Sequence, residues 1–508
     1  MNSNYTSVLD IRERVFTEVA KLAYEGGDYS RIDEIPYNII PGEVATYRES
    51  VFLERAIVEE RIRLAIGLPM RSAAEHAPIY QGIEESAISE KYYDPPLINI
   101  IKFACNACPE KRVEVSNLCQ GCLAHPCMQV CPKDAIHMEK GQSVIDQDKC
   151  INCGLCINAC PYNAVVELER PCAKVCGVDA IGSDQFGRAE VDYHKCVSCG
   201  MCLVNCPFGA ISDKGQIFQL VHALKEEKEV YAIVAPAFVG QFGPRMTDNK
   251  IKKVMKQLGF TDTIEVAIGA DLCTLDEAKE YLEKVPGEQP FMATSCCPAW
   301  SKMARQEFPE LAEYISMTLT PMVLTARLVK REHPDCKIAF IGPCSAKKLE
   351  ASRKSVRSDV DFVLTFEELT GMTLAKEIVF DEVEPDEEGF SDASALGRGF
   401  SVAGGVAKAV VNVINKQEPG REVKVAAAEG LVGCRNMLAM AKAGKYDGYL
   451  LEGMACPGGC VGGAGTLSGG APNYIKKSTN NVNRYAANAE MKNATDSKYK
   501  KHLDLLQK

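Results

Sequence analysis

Of the 24 cysteines in this 508-residue chain, 16 fall between Cys105 and Cys206, and none precedes Cys105. Two sets, Cys150, Cys153, Cys156 and Cys160, and Cys196, Cys199, Cys202 and Cys206, follow C-x2-C-x2-C-x3-C-P. In that pattern three closely spaced thiolates hold one iron-sulfur cubane and the fourth reaches across to another. Zinc sites rarely show a triplet plus one. This stretch is therefore constrained to fold as loops around clusters.

A variant, C-x2-C-x4-C-x3-C-P, occurs at Cys119, Cys122, Cys127 and Cys131, and resembles modules of multi-cluster electron-transfer subunits in molybdenum oxidoreductases. Crosswise pairing predicts one cubane on Cys119, Cys122, Cys127 and Cys160, and a second on Cys150, Cys153, Cys156 and Cys131. Cys172 and Cys176 look like the second half of another module. With them, Cys105, Cys108, Cys172 and Cys206 form a third set, and Cys196, Cys199, Cys202 and Cys176 a fourth. All 16 thiols are then used, in up to four 4Fe-4S clusters. The alternative is a structural zinc knuckle of Cys105, Cys108, Cys119 and Cys122, which strands Cys127. His125, His137 and His194 lie among the cysteines, and none is needed to complete a set.

The length allows two or three domains with proper cores. The N-terminus lacks a basic stretch followed by an apolar one, so a cytoplasmic protein with reduced thiols is expected, rather than disulfides. The best apolar run, 230–237, is strand-sized and far short of the roughly eighteen residues that cross a bilayer. A net charge of -10 without long basic runs argues against a nucleic-acid surface. Residues 1–100 read as a helical N-terminal segment, with apolar residues at three- and four-residue spacing in 11–24 and 47–66, suited to a cap or docking surface. Residues 101–215 are the α+β ferredoxin-like domain, closing on C-P-F-G-A-I-S at 206–212. From 225 to 470, strand-like runs at 230–235, 263–268, 291–294, 337–341 and 449–451 alternate with helical ones, which predicts an α/β domain with parallel strands. The polar tail, 471–508, reads as a surface helix or frayed end.

Three signatures in this last domain each follow a predicted strand: T-S-C-C-P-A-W at 294–300, G-P-C-S-A-K-K-L-E at 342–350 and E-G-M-A-C-P-G-G-C at 452–460. Ligands of open α/β sheets bind beyond the carboxyl ends of strands, so such loops can converge although distant in sequence. Together they resemble the active-site signatures of iron-only (FeFe) hydrogenases. The resemblance covers about residues 105–465 and implies two parallel-sheet lobes around a buried cluster site. It implies that Cys297, Cys344 and Cys456 bind a cubane, while Cys460 bridges it to a two-iron unit bearing carbon monoxide, cyanide and a dithiolate amine, the H-cluster. It further implies that Cys296 is no ligand but passes protons, continuing through Glu277, Ser316 and Glu280. Glu277 and Glu280, three residues apart, share a helical face. Lys347 matches a lysine that hydrogen-bonds an iron-bound cyanide, and Met454 a methionine beside the bridging carbonyl.

Some positions depart from the family pattern: Ala237 stands for a serine, Gly342 for a methionine, Met322 for a glutamine, and G-G-A-G-T at 462–466 for G-G-G-Q-P. A less polar pocket with altered bias or rate is expected, in a divergent branch. Cys273, Cys336 and Cys434 match no ligand position. The resemblance implies reversible interconversion of protons, electrons and hydrogen, a ferredoxin-type or other low-potential carrier as partner, and dedicated maturases, with no nucleic acid and no membrane insertion. Two other readings are weighed. One is an iron-sulfur assembly scaffold related to hydrogenases, which needs neither Cys296, Lys347, Met454 nor Glu277. The other is a low-turnover hydrogen sensor, for which 48 residues after Cys460 leave little room for a sensory domain.

Overall fold

A computed structural model describes residues 7–506 apart from 73, 227, 354–357 and 468–472. The N-terminal segment forms α1 (Ser7–Glu25) and α2 (Val51–Ala65). Helix α2 starts inside the periodic stretch 47–66 because the Ser50 hydroxyl accepts from the Phe52 N–H at 3.2 Å and caps it there. The residues just before fold back, where buried Glu54 accepts the N–H groups of Thr46, Tyr47 and Arg48.

The cysteine-rich region is built on two-stranded antiparallel ribbons: Ile98–Ile100 with Ile211–Asp213, Arg112–Val115 with Val165–Leu168, Ile136–Glu139 with Gln142–Ile145, and Ile181–Ser183 with Ala189–Val191. Each is too short to make a core of its own; the thiol-bearing loops fill the space between them.

The remaining strands are β1 (Val230–Val234), β2 (Asp262–Glu265), β3 (Phe291–Ala293), β4 (Lys337–Gly342), β5 (Phe362–Thr365), β6 (Lys424–Glu429) and β7 (Tyr449–Met454). They form two parallel sheets, β2-β1-β4-β5 and β3-β7-β6. The helices that matter for the site are α3 (Ala267–Lys284), α4 (Pro298–Glu307), α5 (Ser345–Ser352) and α6 (Phe366–Ala375). The strand expected over 263–268 stops at Glu265, and Ala267 and Ile268 open α3. An apolar run cannot by itself separate a buried strand from the buried first turn of a helix. Strands β5 and β6 lie outside the strand-like runs of the sequence; the alanine-rich K-V-A-A-A-E of β6 carries no β-branched alternation.

The N-terminal helices share one core with the first sheet: Val15, Phe16, Val19 and Leu22 of α1 pack among Phe366, Leu369 and Met372 of α6 and Val230, Ala232 and Val234 of β1. The α1–α6 approach requires Gly371, where a Cβ would lie 2.5 Å from that of Phe16. Arg12 and Glu367 form a buried ion pair across it. After the second sheet, Tyr474–Ala487 forms a helix that buries Val482 and Ala486, and the junction expected at 470/471 lies outside the described residues. No helix among the described residues is long and apolar enough to cross a membrane.

Candidate active site

Four loops in the cysteine-rich region repeat one geometry. The residue before the second cysteine of each C-x-x-C, Ala107, Gly121, Asn152 or Ser198, has φ between +46° and +57°. The third residue after Cys131, Cys160, Cys176 and Cys206 (Asp134, Asn163, Asp179 and Gly209) likewise has φ between +47° and +58°. The next N–H, from Ala135, Ala164, Ala180 or Ala210, then donates to the cysteine Sγ at 3.3 Å. Left-handed residues turn the chain tightly enough to aim backbone donors at sulfur, the arrangement that stabilises thiolates around a cluster.

A cavity of about 20 Å³ is lined by Cys105, Cys108, Cys172 and Cys206, and another of about 20 Å³ by Cys131, Cys150, Cys153 and Cys156. Cys176, Cys196 and Cys199 share a core with Cys297 and Cys344. Burial raises the Cys202 thiol well above the usual range, with Cys199, Cys196 and Cys176 adding to it. Ser143 bridges Cys119 and Cys127, its N–H 3.4 Å from the first sulfur and its Oγ 3.5 Å from the second. Cys160 packs in the same small core as Cys127, and half-buried Cys122 accepts the His125 N–H on its carbonyl. The zinc alternative needs Cys105 and Cys108 beside Cys119 and Cys122, whereas the cavity lined by Cys105 and Cys108 is completed by Cys172 and Cys206. Among the described residues no three His, Cys, Asp or Glu side chains approach closely enough to hold a single metal ion. His125, His137 and His194 line neither of these cavities.

A cavity of about 90 Å³ lies beyond the carboxyl ends of β1, β3, β4 and β7, where Cys296, Cys297, Cys344, Cys456 and Cys460 meet Lys347 and Met454. It has room for several waters, but its other walls are apolar, among them Ala235, Val266, Met322, Phe340 and Phe400. Burial pushes the Cys344 thiol up to about 11 and Cys460 up to about 12, and raises Cys456 well above the usual range. Four thiols facing a largely apolar cavity suit a metal cluster, which binds thiolate. Gly459, with φ +86°, forms part of the wall, and a Cβ there would lie 2.7 Å from the Ala403 nitrogen. The space left open at Gly342 is taken by the Phe340 ring, 2.5 Å from where a Cβ would stand.

Beside the cavity, burial raises the Cys296 thiol well above its usual range, and Glu277 adds to the shift. Glu277 is fully buried on α3. Burial, with the charges of Glu280 and Asp276, pushes its pKa up to about 8 against the opposing hydrogen bond from the Ser295 N–H at 3.1 Å. Among the described residues its Oε2 has no hydrogen-bond partner. Ser316 Oγ lies 2.6 Å from Glu280 Oε2 and 3.0 Å from Thr318 Oγ1, and the Thr318 hydroxyl donates to Asp276 at 2.5 Å. Lys284 pairs with Glu280 at 2.8 Å. Thr318, Asp276 and Lys284 carry no motif of their own, although Asp276 and Lys284 flank the two glutamates on the same helix.

Lys347 meets an anion of this chain, Glu350 Oε2, at 2.7 Å. Burial alone would lower its ammonium, but Glu350, together with the Cys344 and Cys296 thiols, outweighs that and raises it. The i, i+3 spacing within K-K-L-E was the available signal. Its neighbour Lys348 is fully buried between Asp213 (3.0 Å) and Glu368 (2.9 Å), tying the ribbon at Ile211–Asp213 to α5 and α6. At the same boundary a Cβ on Gly200 would lie 2.7 Å from that of Ala464. Burial pushes the Cys199 thiol up to about 12, with Cys176, Cys196 and Cys344 contributing, so this thiol group adjoins the main cavity. Cys273 and Cys336 are buried and line none of these cavities, and the Cys434 thiol lies 3.5 Å from the Ala428 and Met454 carbonyls.

Repeated thiol loops packed against a thiol-lined cavity between two parallel sheets fit the class of iron-sulfur proteins. Residues 228–464 match the model of the iron only hydrogenase large subunit, C-terminal domain; residues 143–166 match a 4Fe-4S binding domain, and 166–217 the LdpA Fe-S cluster-binding domain. Iron hydrogenase 1 of Clostridium pasteurianum is 31% identical over 423 residues, 73% of this chain and 73% of that protein. The chain belongs to the iron-only hydrogenase family, as a divergent member. The NADP-reducing hydrogenase subunit HndD of Solidesulfovibrio fructosivorans is 27% identical over 373 residues, 62% of this chain and 55% of that one. The cytosolic Fe-S cluster assembly factor narfl of Danio rerio is 25% identical over 310 residues, 50% of this chain and 75% of that one.

Proposed function

We propose that this chain is a hydrogenase that interconverts two protons and two electrons with molecular hydrogen. The observation that carries the reading is the convergence of Cys297, Cys344, Cys456 and Cys460 on one apolar cavity, with the non-ligand thiol of Cys296 at its edge and a buried carboxyl, Glu277, behind it. Those four cysteines would hold the H-cluster, which supplies low-valent iron and a basic amine for making and splitting hydrogen. The accessory sets, Cys105/Cys108/Cys172/Cys206, Cys176/Cys196/Cys199/Cys202, Cys119/Cys122/Cys127/Cys160 and Cys131/Cys150/Cys153/Cys156, would hold cubanes that pass electrons inward. Exposed Cys153 marks the outer end and Cys199, beside Cys344, the inner one.

The protein's own part is proton handling and exclusion of water. Cys296 Sγ keeps its proton at neutral pH and offers it inside a dry pocket. Glu277, neutral up to about pH 8, can replace that proton. Ser316 and Glu280 continue toward solvent, where Glu280 is half-exposed and held by Lys284. Lys347, oriented by Glu350, presents a cation to the cavity, suited to an anionic ligand there. A ferredoxin or other low-potential carrier is the proposed electron partner, and maturases the source of the two-iron unit.

Likeness to assembly factors supports a second reading, an iron-sulfur scaffold. A scaffold has no use for Cys296, Glu277 or Lys347, whose placement around the cavity favours the enzyme. The test is hydrogen evolution and uptake with several electron carriers after anaerobic maturation. Turnover that depends on maturation supports the enzyme; fully matured protein inert in both directions puts the scaffold ahead.

A further inference from the structure

Arg61 is one of the buried cations that neither the relay nor the main cavity uses. Arg61 lies on the face of α2 that also carries Ile57 and Leu64, at i, i+4 and i+7, and those two side chains pack with Ala104, Ala210, Cys105 and Cys206. Arg61 is only 6% exposed, and its guanidinium donates to the Gly209 carbonyl, three residues beyond Cys206. No carboxylate among the described residues pairs with it. Glu54, on the same helix, accepts three backbone N–H groups on its Oε1 and forms no ion pair with Arg61, and Arg12, which like Arg48 repels Arg61, is already paired with Glu367. Burial and that repulsion lower its pKa to about 10, which leaves it charged at neutral pH.

A buried guanidinium without a counter-ion costs several kcal/mol unless an anion lies near. The nearest candidate is the thiol set of Cys105, Cys108, Cys172 and Cys206, which carries net negative charge once it holds a cubane. Two more arginines converge there. Arg48, from the loop before α2, donates to the Ala104 and Phe208 carbonyls at 3.1 and 2.7 Å. Arg170 lines the cavity, its guanidinium on the Gly182 carbonyl and Ser183 Oγ. The cavity of Cys131, Cys150, Cys153 and Cys156 has only exposed Lys133 as a lining cation. Reduction adds negative charge, so a fixed buried cation favours the reduced form.

We propose that the N-terminal helical segment is an electrostatic clamp on one cluster, in which Arg61 raises the reduction potential of the group held by Cys105, Cys108, Cys172 and Cys206; this rests on the cubane assignment made above. The test uses the full chain with its clusters reconstituted, titrated electrochemically and read by electron paramagnetic resonance. Cys172→Ala first identifies the signal belonging to this set; if no signal is lost, the assignment itself has failed. Arg61→Gln is then expected to lower the midpoint of that signal alone by at least a tenfold change in the reduced-to-oxidised ratio, 59 mV for one electron, while Arg61→Lys leaves it in place. An unmoved midpoint in Arg61→Gln, or an equal fall in Arg61→Lys, overturns the inference. Should Arg61→Gln lose the cluster outright, its retention in Arg61→Lys supports a requirement for charge, and loss in both variants overturns it in favour of packing.

Discussion

Between Cys105 and Cys206 each thiol set is assembled from short loops that repeat one turn and one N–H···S bond. The cavity between the sheets takes its five cysteines from three loops brought together only by parallel strands. The first arrangement is local and modular, so a loop can fail while its neighbours survive. The second exists only when both sheets are in place, and it can enclose dry space that short loops cannot. The groups proposed to handle protons lie at the second, where burial shifts Glu277 and Cys296 far from their solution behaviour.

That contrast can be broken most sharply by removing ligands. Cys344→Ala should take hydrogen turnover to background, whereas Cys131→Ala should cost one cubane signal and only part of the electron flow; equal, total loss in both would erase the distinction. Next in size, Cys296→Ala and Glu277→Gln should each slow turnover by about 10²- to 10⁴-fold without changing iron content, measured by hydrogen evolution against metal analysis. In the parent protein, evolution should decline as pH rises through about 8, where folded Glu277 loses its proton. Folded Glu277 stays protonated between about 4.5 and about 8 while the unfolded chain releases that proton, so its contribution to stability falls as pH climbs through this window. Glu277→Gln should flatten that slope.

The seam between the two regions gives a smaller effect. Lys348→Met leaves Asp213 and Glu368 buried without their cation and should destabilise the fold by about 3–5 kcal/mol, seen as a lower denaturation midpoint with the ribbons and the sheets loosening together. Smallest of all, Ala107→Gly relieves a left-handed alanine and should gain up to about 1 kcal/mol, read as a slight rise in melting temperature of the cluster-loaded protein with turnover unchanged. Gly121 already occupies the equivalent place in a second loop.

Much of this contrast is legible in the sequence, for physical reasons. Cysteine spacing survives as a pattern because each accessory loop is local. The three signature loops sit after strands whose β-branched runs, such as Val230–Val234 and Lys337–Gly342, are plain in one dimension. What stays hidden depends on distant partners. Nothing in α1 says that Phe16 will press on Gly371, nor in α2 that Arg61 will be buried beside Cys206. Val266, Ala267 and Ile268 suit a strand until the helix that follows claims them. Glu350 looks like a surface acid until folding buries Lys347 next to it.

The central claim, that folding gathers Cys297, Cys344, Cys456 and Cys460 around an organometallic group, is tested most directly by infrared spectroscopy of anaerobically matured protein. Bands from metal-bound carbon monoxide and cyanide should be present in the parent and in Cys296→Ala, absent in Cys460→Ala, and accompanied in the parent by about 22 irons per chain. A fully metallated parent with no such bands, or bands that persist in Cys460→Ala, would contradict it.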